Sequence, residues 1–175
     1  LLAHPNIKES QANKALVDAV SDMEGVAVFN LYELSQEIAF NVDEWSKIIS
    51  DASAVIYQFP FYWMSAPSLL KKWQDEVFTF LSKTPAVAGK SLTVVTTTGS
   101  EYEAYRSGGR NRFTMDELLR PYQVSAIHSG MSWQTPIVVY GMGTADAGKN
   151  IAEGANLYKQ RVEMLIGSSN AGNNW

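Results

Sequence analysis

The regular alternation of short β-rich runs with segments of helical periodicity is the feature that most constrains this chain. The β-rich runs are residues 1–3, 26–31, 54–57, 91–97, 125–128 and 137–140. Apolar residues recur three and four positions apart, the spacing of one helix face, over residues 10–23, 43–50, 65–78, 115–122 and 152–166. Strands that alternate with helices build a parallel sheet with helices on both faces. We therefore predict an α/β fold, a doubly wound five-stranded parallel sheet of order 2-1-3-4-5 in a three-layer α/β/α arrangement.

The length and the lack of cysteine limit both the architecture and the chemistry. A chain of 175 residues fits one domain, which we place at residues 1–167, with a small, polar, disordered tail predicted over 168–175. Cysteine is absent, which excludes thiolate nucleophiles, iron–sulfur clusters and zinc–thiolate sites. The two histidines lie far apart, so we expect no metal site. Difficult chemistry would therefore come from an organic cofactor.

Charge and hydropathy narrow the possible partners. The formal net charge is −4, which disfavours nucleic-acid binding because such proteins need a basic face. Charged residues make up only 18% of the chain, and that leaves room for a buried subunit interface. No apolar segment is long enough to span a bilayer and no signal peptide is visible, so we predict a cytoplasmic protein. Residues 1–3 look like the end of a hydrophobic strand, and we expect further residues before them.

The unusual residues of the sequence fall in the loops after the first, third and fourth predicted strands. In an open doubly wound sheet, ligands bind beyond the carboxyl ends of the strands, where the strand order reverses. For the predicted order, that position is formed by residues 3–13, 59–67 and 97–105. We call these segments the first, second and third loops, and we expect them to build a ligand site.

The first loop leads into the N-terminus of a predicted helix, where free backbone N–H groups and the helix dipole favour an anion. Ser10 and Asn13 can add side-chain donors, and His4 can add a donor or a positive charge. The loop has neither the Walker A nor the GxGxxG pattern. A simpler interpretation stays open, in which Ser10 only caps the helix and His4 only ends a strand.

The second and third loops have the composition of a slot for a flat ring. Pro60 and Pro67 stiffen a segment with three consecutive aromatic residues at 61–63, which suits a conjugated ring edged by backbone groups. The same segment could plug the end of the sheet or contact another subunit. Gly99 permits close backbone approach, and the N–H groups around it could stabilise negative charge, although a strand-ending turn explains the same residues.

Several motifs follow one another in a specific order along the chain. They are His4-Pro5 with Ser10-x-Ala12-Asn13, Pro60-x-x-Trp63-x-x-Ala66-Pro67 with Leu69-Leu70-Lys71-x-Trp73, Thr97-Thr98-Gly99, Asn111-Arg112-Phe113 with Leu118-Leu119-Arg120-Pro121, and Gly130-Met131. In this order and spacing they resemble the flavodoxin-like NAD(P)H dehydrogenase (quinone) family, near the bacterial ancillary flavoproteins of glutathione-regulated potassium-efflux systems. The resemblance covers nearly the whole chain, and the combination is more specific than any single motif.

The resemblance implies a cofactor, a co-substrate and a set of site residues. The cofactor would be FMN, with FAD as the alternative, and NAD(P)H would be the co-substrate; the short chain favours FMN. The phosphate of the flavin would be bound by His4, Ser10, Gln11, Ala12 and Asn13. The ring would be lined by Pro60, Phe61, Tyr62, Trp63 and Met64 on one side and by Thr97, Thr98, Gly99 and Ser100 on the other.

The resemblance also implies a reaction. Tyr105 matches by spacing the tyrosine that such enzymes place near the site of hydride transfer, so it is the implied catalytic residue. Asn111 stands where that family has a histidine, which leaves Tyr102, Tyr105 or solvent as the proton source. The implied reaction is a two-electron ping-pong cycle, in which NAD(P)H gives a hydride to flavin N5 and a quinone is then reduced. A homodimer is implied as well.

Other interpretations stay open. The chain resembles the potassium-efflux ancillary proteins closely enough that its task could be regulatory, as a subunit that docks on a membrane transporter and is held at the inner membrane by that partner. A one-electron carrier is a third interpretation, although such carriers are usually far more acidic. Azo or nitro compounds could also be reduced in place of a quinone.

Two further features of the sequence have no assigned role. Arg106, Arg110 and Arg112 surround Gly108-Gly109 and could contact a phosphate of the nicotinamide cofactor or of the flavin, or form a solvated loop. The two glycines indicate mobility, so this segment could be a lid. His128 lies in a strand-like run, and we expect it to be a hydrogen-bonded core histidine.

Overall fold

Two parallel strands, β1 (Ala54–Pro60) and β2 (Ser91–Thr97), form the centre of the sheet in the computed structural model, which describes residues 1–34 and 39–172. The strands pair over their whole length, from Ala54 opposite Ser91 to Pro60 opposite Thr97. Every residue of β2 after Ser91 is buried. Their apolar and β-branched sequences suit this position, because a strand with helices on both faces is buried on both.

The edge beyond β2 is divided into two short strands. β3 (Ser132–Trp133) pairs with the start of β2, and β4 (Ile137–Val139) pairs with its end. Pro136 lies between them, and because proline has no N–H to donate, it fits an interruption of the ladder.

Leu2 continues the sheet on the other side of β1. It forms isolated parallel bridges to Gln58 of β1 and to Asn30, so the neighbours run from Asn30 through Leu2, β1 and β2 to β4. This succession follows the predicted strand order. Asn30 and Leu2, however, take part only through isolated bridges, so the sheet of the described residues consists of the four strands β1 to β4. The predicted α/β fold is confirmed, whereas the count of five strands is not. The predicted strand at 26–31 is not formed. Within this segment only Asn30 pairs with the sheet, through its bridge to Leu2.

Helices cover both faces of the sheet. In chain order they are α1 (Gln11–Asp18), α2 (Leu31–Leu34), α3 (Val42–Asp51), α4 (Ser68–Trp73), α5 (Thr79–Leu81), α6 (Met115–Leu118), α7 (Arg120–His128) and α8 (Ala147–Gly172). A π-helical segment, Gln74–Phe78, joins α4 to α5, and short 3-10 helices span Ile7–Glu9 and Tyr102–Tyr105. α1 and α8 share one apolar cluster with the sheet, and α3, α4, α6 and α7 share the other. None of the helices within residues 1–34 and 39–172 is both long enough and apolar enough to cross a membrane.

The predicted strand at residues 125–128 is wrong, because these residues form the second half of α7. Ser125 Oγ donates to Pro121 O over one helical turn at 2.9 Å, and Ala126 is fully buried while Ile127 is 63% exposed. Four residues are too few to separate a strand from a helix by periodicity. His128 is exposed at the end of this helix, so the expectation of a core histidine is also wrong.

The end of the chain differs from the prediction as well. α8 continues to Gly172, so residues 168–172 are helical where a disordered tail is predicted. Ser168 Oγ donates to Met164 O at 2.8 Å in this last part, and no proline interrupts the helix. Residues 173–175 of the predicted tail lie outside the described residues.

An apolar cavity of about 460 Å³ lies beside the amino end of β1. It is lined mainly by residues 25–29, residues 52–56 and the inner side of α8. Leu1 N donates to Ile56 O at 2.7 Å at the border of the cavity. No residue of the first, second or third loop lines this cavity, so it is separate from the site described next.

Candidate functional site

The carboxyl ends of the strands bring the three loops together. Pro60 pairs with Thr97 where β1 and β2 end, and Ala3 N donates to a carbonyl of β1 at 2.8 Å. Two hydrogen bonds then join the loops to each other. Phe61 N donates to Thr97 O at 2.9 Å, and Asn13 Nδ2 donates to Thr97 Oγ1 at 3.0 Å. The sheet therefore presents the three loops as one surface.

The first loop determines the tautomer of neutral His4. It is 7% exposed, and its Nδ1 accepts the N–H of Asn6 at 3.1 Å. An accepting Nδ1 carries no proton, so neutral His4 has its proton on Nε2. Burial lowers the pKa of His4 below its usual value, which favours the same neutral form. Of the two roles that the sequence leaves open, His4 is thus suited to donate a hydrogen bond rather than to supply a positive charge.

Ser10 caps α1 and leaves two N–H groups in front of the helix. Its Oγ accepts the N–H of Asn13 at 3.1 Å. The N–H groups of Gln11 and Ala12 precede the first intrahelical hydrogen bonds, and no other bond to them occurs among the described residues. Both are available to an anion, which the helix dipole also favours.

Asn13 is the centre of a buried polar network beneath the first loop. The residue is 1% exposed, and in addition to the bond to Thr97 its backbone O accepts Gln58 Nε2 at 2.8 Å. Its Oδ1 is buried and has no partner in the part of the chain that the structure describes. Gln58, which the sequence did not single out, therefore ties β1 to the start of α1. A polar residue inside an otherwise apolar central strand is the signal that could have identified it.

The second loop contains a tight hairpin whose two central residues have left-handed backbones. Tyr62 and Ser65 exchange backbone hydrogen bonds at 2.9 and 3.0 Å, and φ is +46° at Trp63 and +61° at Met64. Such a conformation costs a non-glycine residue roughly 1–2 kcal/mol. Trp63 is 98% exposed, so packing of its indole does not explain the strain. The hairpin also leaves the N–H groups of Trp63 and Met64 unbonded within the described residues.

A buried aromatic layer supports this hairpin. The hydroxyl of Tyr122 accepts the N–H of Ala66 at 3.2 Å, and its ring centroid lies 5.4 Å from that of Phe59. Phe61 is 8% exposed and packs edge-on against Tyr105, with the centroids 6.1 Å apart. Burial raises the pKa of Tyr122, so it remains a neutral phenol. The second loop thus rests mainly on packed rings, with hydrogen bonds from Phe61 N to Thr97 O and from Ala66 N to the hydroxyl of Tyr122.

A fourth loop, which the sequence did not single out, holds the third loop in place. It consists of residues 140–144, directly after β4. Gly141 N donates to Ser100 O at 2.8 Å, and Gly143 N donates to Gly99 O at 2.9 Å. A Cβ atom at Gly143 would lie 3.1 Å from Gly99 O, so the contact favours glycine. Two glycines directly after the last strand are the signal that could have revealed this loop. The N–H groups of Gly99 and Ser100 have no partner among the described residues.

Three tyrosines form one side of the site. Tyr105 is 6% exposed and lies between Phe61 and Tyr140, whose ring centroid is 5.8 Å away. Tyr102 is 49% exposed and meets Tyr140 edge-on at 5.4 Å. Burial, together with the neighbouring tyrosines and a carboxylate, raises the pKa of Tyr140 to about 12. Tyr140 is therefore a neutral wall beside the implied catalytic residue, Tyr105.

The free donors of the site fit a flat, phosphorylated ring compound such as a flavin. Each of the three predicted loops presents two consecutive backbone N–H groups that have no partner within residues 1–34 and 39–172. These are the groups of Gln11 and Ala12, of Trp63 and Met64, and of Gly99 and Ser100. The first pair stands at a helix N-terminus and suits a phosphate. The other two pairs lie beside aromatic walls and suit the polar edge of a ring. Across the same residues, no three His, Asp or Glu side chains are grouped so that they could hold a metal.

An open parallel sheet with helices on both faces and ligand loops at its carboxyl edge defines a doubly wound α/β protein of the switch-point type. Residues 1–162 match the model of the family described by its flavodoxin-like fold. The chain therefore belongs to this flavodoxin-like family.

Relatives that align over most of the chain and carry a range of names support this membership. General stress protein 14 of Bacillus subtilis (strain 168) is 35% identical over 168 residues, which cover 94% of this chain and 95% of that protein. The uncharacterized NAD(P)H oxidoreductase YdeQ of the same organism is 36% identical, with coverages of 94% and 85%. KefG of Pectobacterium atrosepticum, an ancillary protein of a glutathione-regulated potassium-efflux system, is 35% identical, with coverages of 80% and 79%.

Solved structures share the fold over almost the whole chain. General stress protein 14 of Treponema denticola in complex with FMN superposes with a TM-score of 0.83 at 30% identity, covering 94% of this chain and 96% of that chain. An NADPH-quinone reductase of P. pentosaceus gives a TM-score of 0.78 at 28% identity, with coverages of 91% and 94%. A protein from Streptomycin violaceusniger described as a thermophilic tryptophan halogenase gives 0.85 at 36% identity, with coverages of 92% and 95%. Since one fold carries several functional names, the function has to be argued from the site itself.

Proposed function

We propose that this chain is an FMN-dependent NAD(P)H:quinone oxidoreductase with a two-electron ping-pong cycle. The observation that carries the proposal is the meeting of three loops, each with a pair of unbonded N–H groups, between aromatic walls at the switch point. Three similar proteins support it, because one is solved with FMN, one is named an NAD(P)H oxidoreductase and one is named an NADPH-quinone reductase. FMN is proposed rather than FAD because of the first of these.

The first loop would hold the phosphate of FMN. The N–H groups of Gln11 and Ala12 and the Nε2–H of His4 are donors that need no deprotonation or charge to bind it. Ser10 and Asn13 act mainly on the protein, since Ser10 Oγ caps α1 and Asn13 Nδ2 bonds to Thr97. These two residues keep the free N–H groups in position.

The second and third loops would hold the ring. The aromatic wall would be formed by Pro60, Phe61, Tyr62, Trp63 and Met64, and the glycine-containing wall by Thr97, Thr98, Gly99 and Ser100. When bound, the flavin supplies the capacity to carry two electrons from NAD(P)H to a quinone. The protein would contribute N–H groups fixed before the reaction, which stabilise charge on the ring edge without reorganisation.

Tyr105 is the proposed catalytic residue. It is the most buried of the three tyrosines, since Tyr140 is half-buried and Tyr102 is exposed, and its ring touches Phe61 of the second loop. Asn111 cannot act as the proton donor that a histidine would be, so a phenol in this place would hold the proton for the quinone. Tyr105→Phe should lower kcat with the quinone while leaving the FMN content unchanged. Equal kcat values for the two proteins over the whole pH range would remove Tyr105 from the mechanism.

The direct test of the proposal is optical. Purified protein loaded with FMN should be yellow, should lose its visible absorption on addition of NADH or NADPH, and should regain it when a quinone is added. Parallel lines in double-reciprocal plots would support the ping-pong order. Protein that retains no flavin after incubation with FMN and gel filtration would overturn the proposal, whatever its other activities.

A second candidate function follows from the similarity to KefG. The chain would then be an ancillary subunit that regulates a potassium-efflux transporter at the membrane. A variant of the first loop that no longer binds FMN separates the two functions. Transporter activation that survives in this variant favours regulation, and activation that is lost with the flavin favours a role through the redox reaction.

Homodimerisation is part of the proposal as well. Val124 and Ile127 on α7 are 55% and 63% exposed, and they lie three positions apart on one helix face. Light scattering should give twice the mass of the chain, and Ile127→Asp should shift it towards the monomer if this face is the interface.

A further inference from the structure

The segment of residues 101–112, which we call the arginine loop, contains charges that the proposed flavin site does not use. We propose that it is a subsite for the 2′-phosphate of NADPH. The inference rests on the proposed function, in that it takes a nicotinamide dinucleotide to be the co-substrate, and it names which of the two dinucleotides the protein prefers.

The arginine loop is folded onto itself by backbone hydrogen bonds. Gly109 N donates to Arg106 O at 2.8 Å, Asn111 N donates to Ala104 O at 3.0 Å, and Arg112 N donates to Gly109 O at 3.0 Å. A Cβ atom at Gly109 would lie 2.0 Å from the backbone O of Glu103. Close packing therefore explains the glycine at 109, and the loop holds a defined shape around its arginines.

The guanidinium groups of the loop are positioned but not neutralised. Arg106 lies over the ring of Tyr102, 5.4 Å from the ring centroid, and Arg110 donates to Ser100 Oγ. Every ion pair found within 4.0 Å in residues 1–34 and 39–172 is made by a lysine. The guanidinium of Arg106 makes no hydrogen bond or ion pair with any other described residue, so its N–H donors are available to a phosphate, which arginine can bind in a bidentate manner.

The two arginines line the same open hollow at the protein surface. The hollow has a volume of about 550 Å³, and Arg106, Ser107 and Arg110 are among its lining residues. Glu101 and Glu103 line it too. These carboxylates repel an anion, so the site would select a ligand that can use both guanidinium groups at once. A phosphate monoester, with its charge of nearly −2, is such a ligand.

The position of the loop indicates the co-substrate rather than the flavin as the source of this phosphate. The first loop already offers an anion site for the flavin phosphate, at the end of a different strand. The arginine loop, by contrast, contains Tyr105 and is bonded through Arg110 to Ser100 of the third loop. A dinucleotide that brings its nicotinamide to the ring beside Tyr105 has its adenosine half available for this loop. The 2′-phosphate is the group by which NADPH differs from NADH.

Binding of nucleotide fragments to the FMN-loaded protein tests the subsite without catalysis. We expect 2′,5′-ADP to bind at least about tenfold more tightly than 5′-AMP in isothermal titration calorimetry, and Arg106→Ala and Arg110→Ala to remove most of that difference. Glu103→Gln should strengthen 2′,5′-ADP binding. Arg120→Ala, which removes an arginine on the surface of α7 that is bonded to Gln123, should leave both affinities unchanged.

Steady-state kinetics then separates this inference from the proposed function. We expect Arg110→Ala to lower kcat/KM for NADPH by about tenfold or more and to leave that for NADH within about twofold. An equal loss with both co-substrates, or equal binding of 2′,5′-ADP and 5′-AMP by the unaltered protein, would overturn the subsite while the NADH reaction still supports the oxidoreductase. Loss of FMN from Arg106→Ala and Arg110→Ala would assign the phosphate to the flavin and overturn it as well. Gly109→Ala should reproduce the effect of Arg110→Ala, whereas Gly108→Ala, with open space around its Cβ position, should not.

Discussion

The first and second loops meet at one site but are held in place by different forces. The first loop rests on a buried polar network, in which Asn13 bonds to Thr97 and Gln58 bonds to Asn13. The second loop rests on packed aromatic rings, with Phe59 and Tyr122 beneath it. A hydrogen bond restricts both the distance and the angle between its donor and acceptor groups, whereas close packing of side chains determines the shape of the surface that they support.

The difference corresponds to what each loop is proposed to bind. A phosphate requires donors aimed at a small group of oxygens, so the N–H groups at the start of α1 need a directional support. A flat ring requires a rigid wall with correct spacing, which close packing provides. The first loop is therefore relaxed and capped, while the second loop carries two strained residues in its exposed hairpin.

Removal of the aromatic support should have the largest effect on stability. Phe59 is fully buried, and Phe59→Ala is expected to lower the free energy of unfolding by about 3–5 kcal/mol through lost burial and a cavity. Urea denaturation followed by tryptophan fluorescence measures the change. Phe80→Ala is the matched control, because Phe80 is 60% exposed and should cost far less. Equal losses in the two variants would show that the second loop does not depend on its aromatic layer.

Removal of the polar support should cost less. Asn13→Ala deletes the donor to Thr97 Oγ1 in a buried position, which we expect to lower the free energy of unfolding by about 1–3 kcal/mol. It should also weaken FMN binding, since α1 loses a tie to the sheet. Asn156→Ala, at an exposed position of α8, makes the same substitution in a helix and should be neutral. If the two substitutions have the same effect in urea denaturation, the network is not the support of the first loop.

Relief of the strain in the hairpin should have a smaller effect of the opposite sign. Trp63→Gly replaces a residue with φ of +46° by one that adopts this conformation freely, and the exposed indole gives up no packing. We expect the flavin-free protein to gain about 0.5–1 kcal/mol and to bind FMN more weakly. Tyr62→Gly, one position earlier and outside the left-handed region, should instead destabilise the protein. Destabilisation by Trp63→Gly would mean that the strain is not relieved by glycine.

The same contrast explains which features could be predicted from the sequence. The strands 54–57 and 91–97 depend on local pattern and lie where they are predicted. The cap at Ser10, also a local feature, is one of the two interpretations that the sequence leaves open for this residue. The tie from Gln58 to Asn13 spans 45 positions of the chain, so no local pattern reveals it. The left-handed hairpin at Trp63 likewise goes against the preference of its residues and exists because the surrounding structure imposes it. The predicted strand at 125–128 is wrong because the exposed apolar residues of α7 do not face the core that periodicity is used to find.

The protonation of His4 gives the smallest expected effect and concerns the first loop alone. Burial lowers the pKa of His4 from 6.5 in the folded protein, so the unfolded chain binds the proton more readily and acid favours unfolding. The free energy of unfolding should therefore decline as pH falls below about 6.5, by less than about 1.4 kcal/mol per pH unit, and level off below the folded pKa. Urea denaturation between pH 7.5 and 5 measures this slope.

Two variants assign the slope to His4, because the chain has 2 histidines. His4→Gln should flatten the decline, whereas His128→Gln, at an exposed helix end, should leave it unchanged. A decline that is equally steep in His4→Gln and His128→Gln would mean that His4 is not held neutral by the fold. In that case the first loop would offer a titrating charge to its anion, and it would resemble the arginine loop more than the rigid, neutral donor site described above.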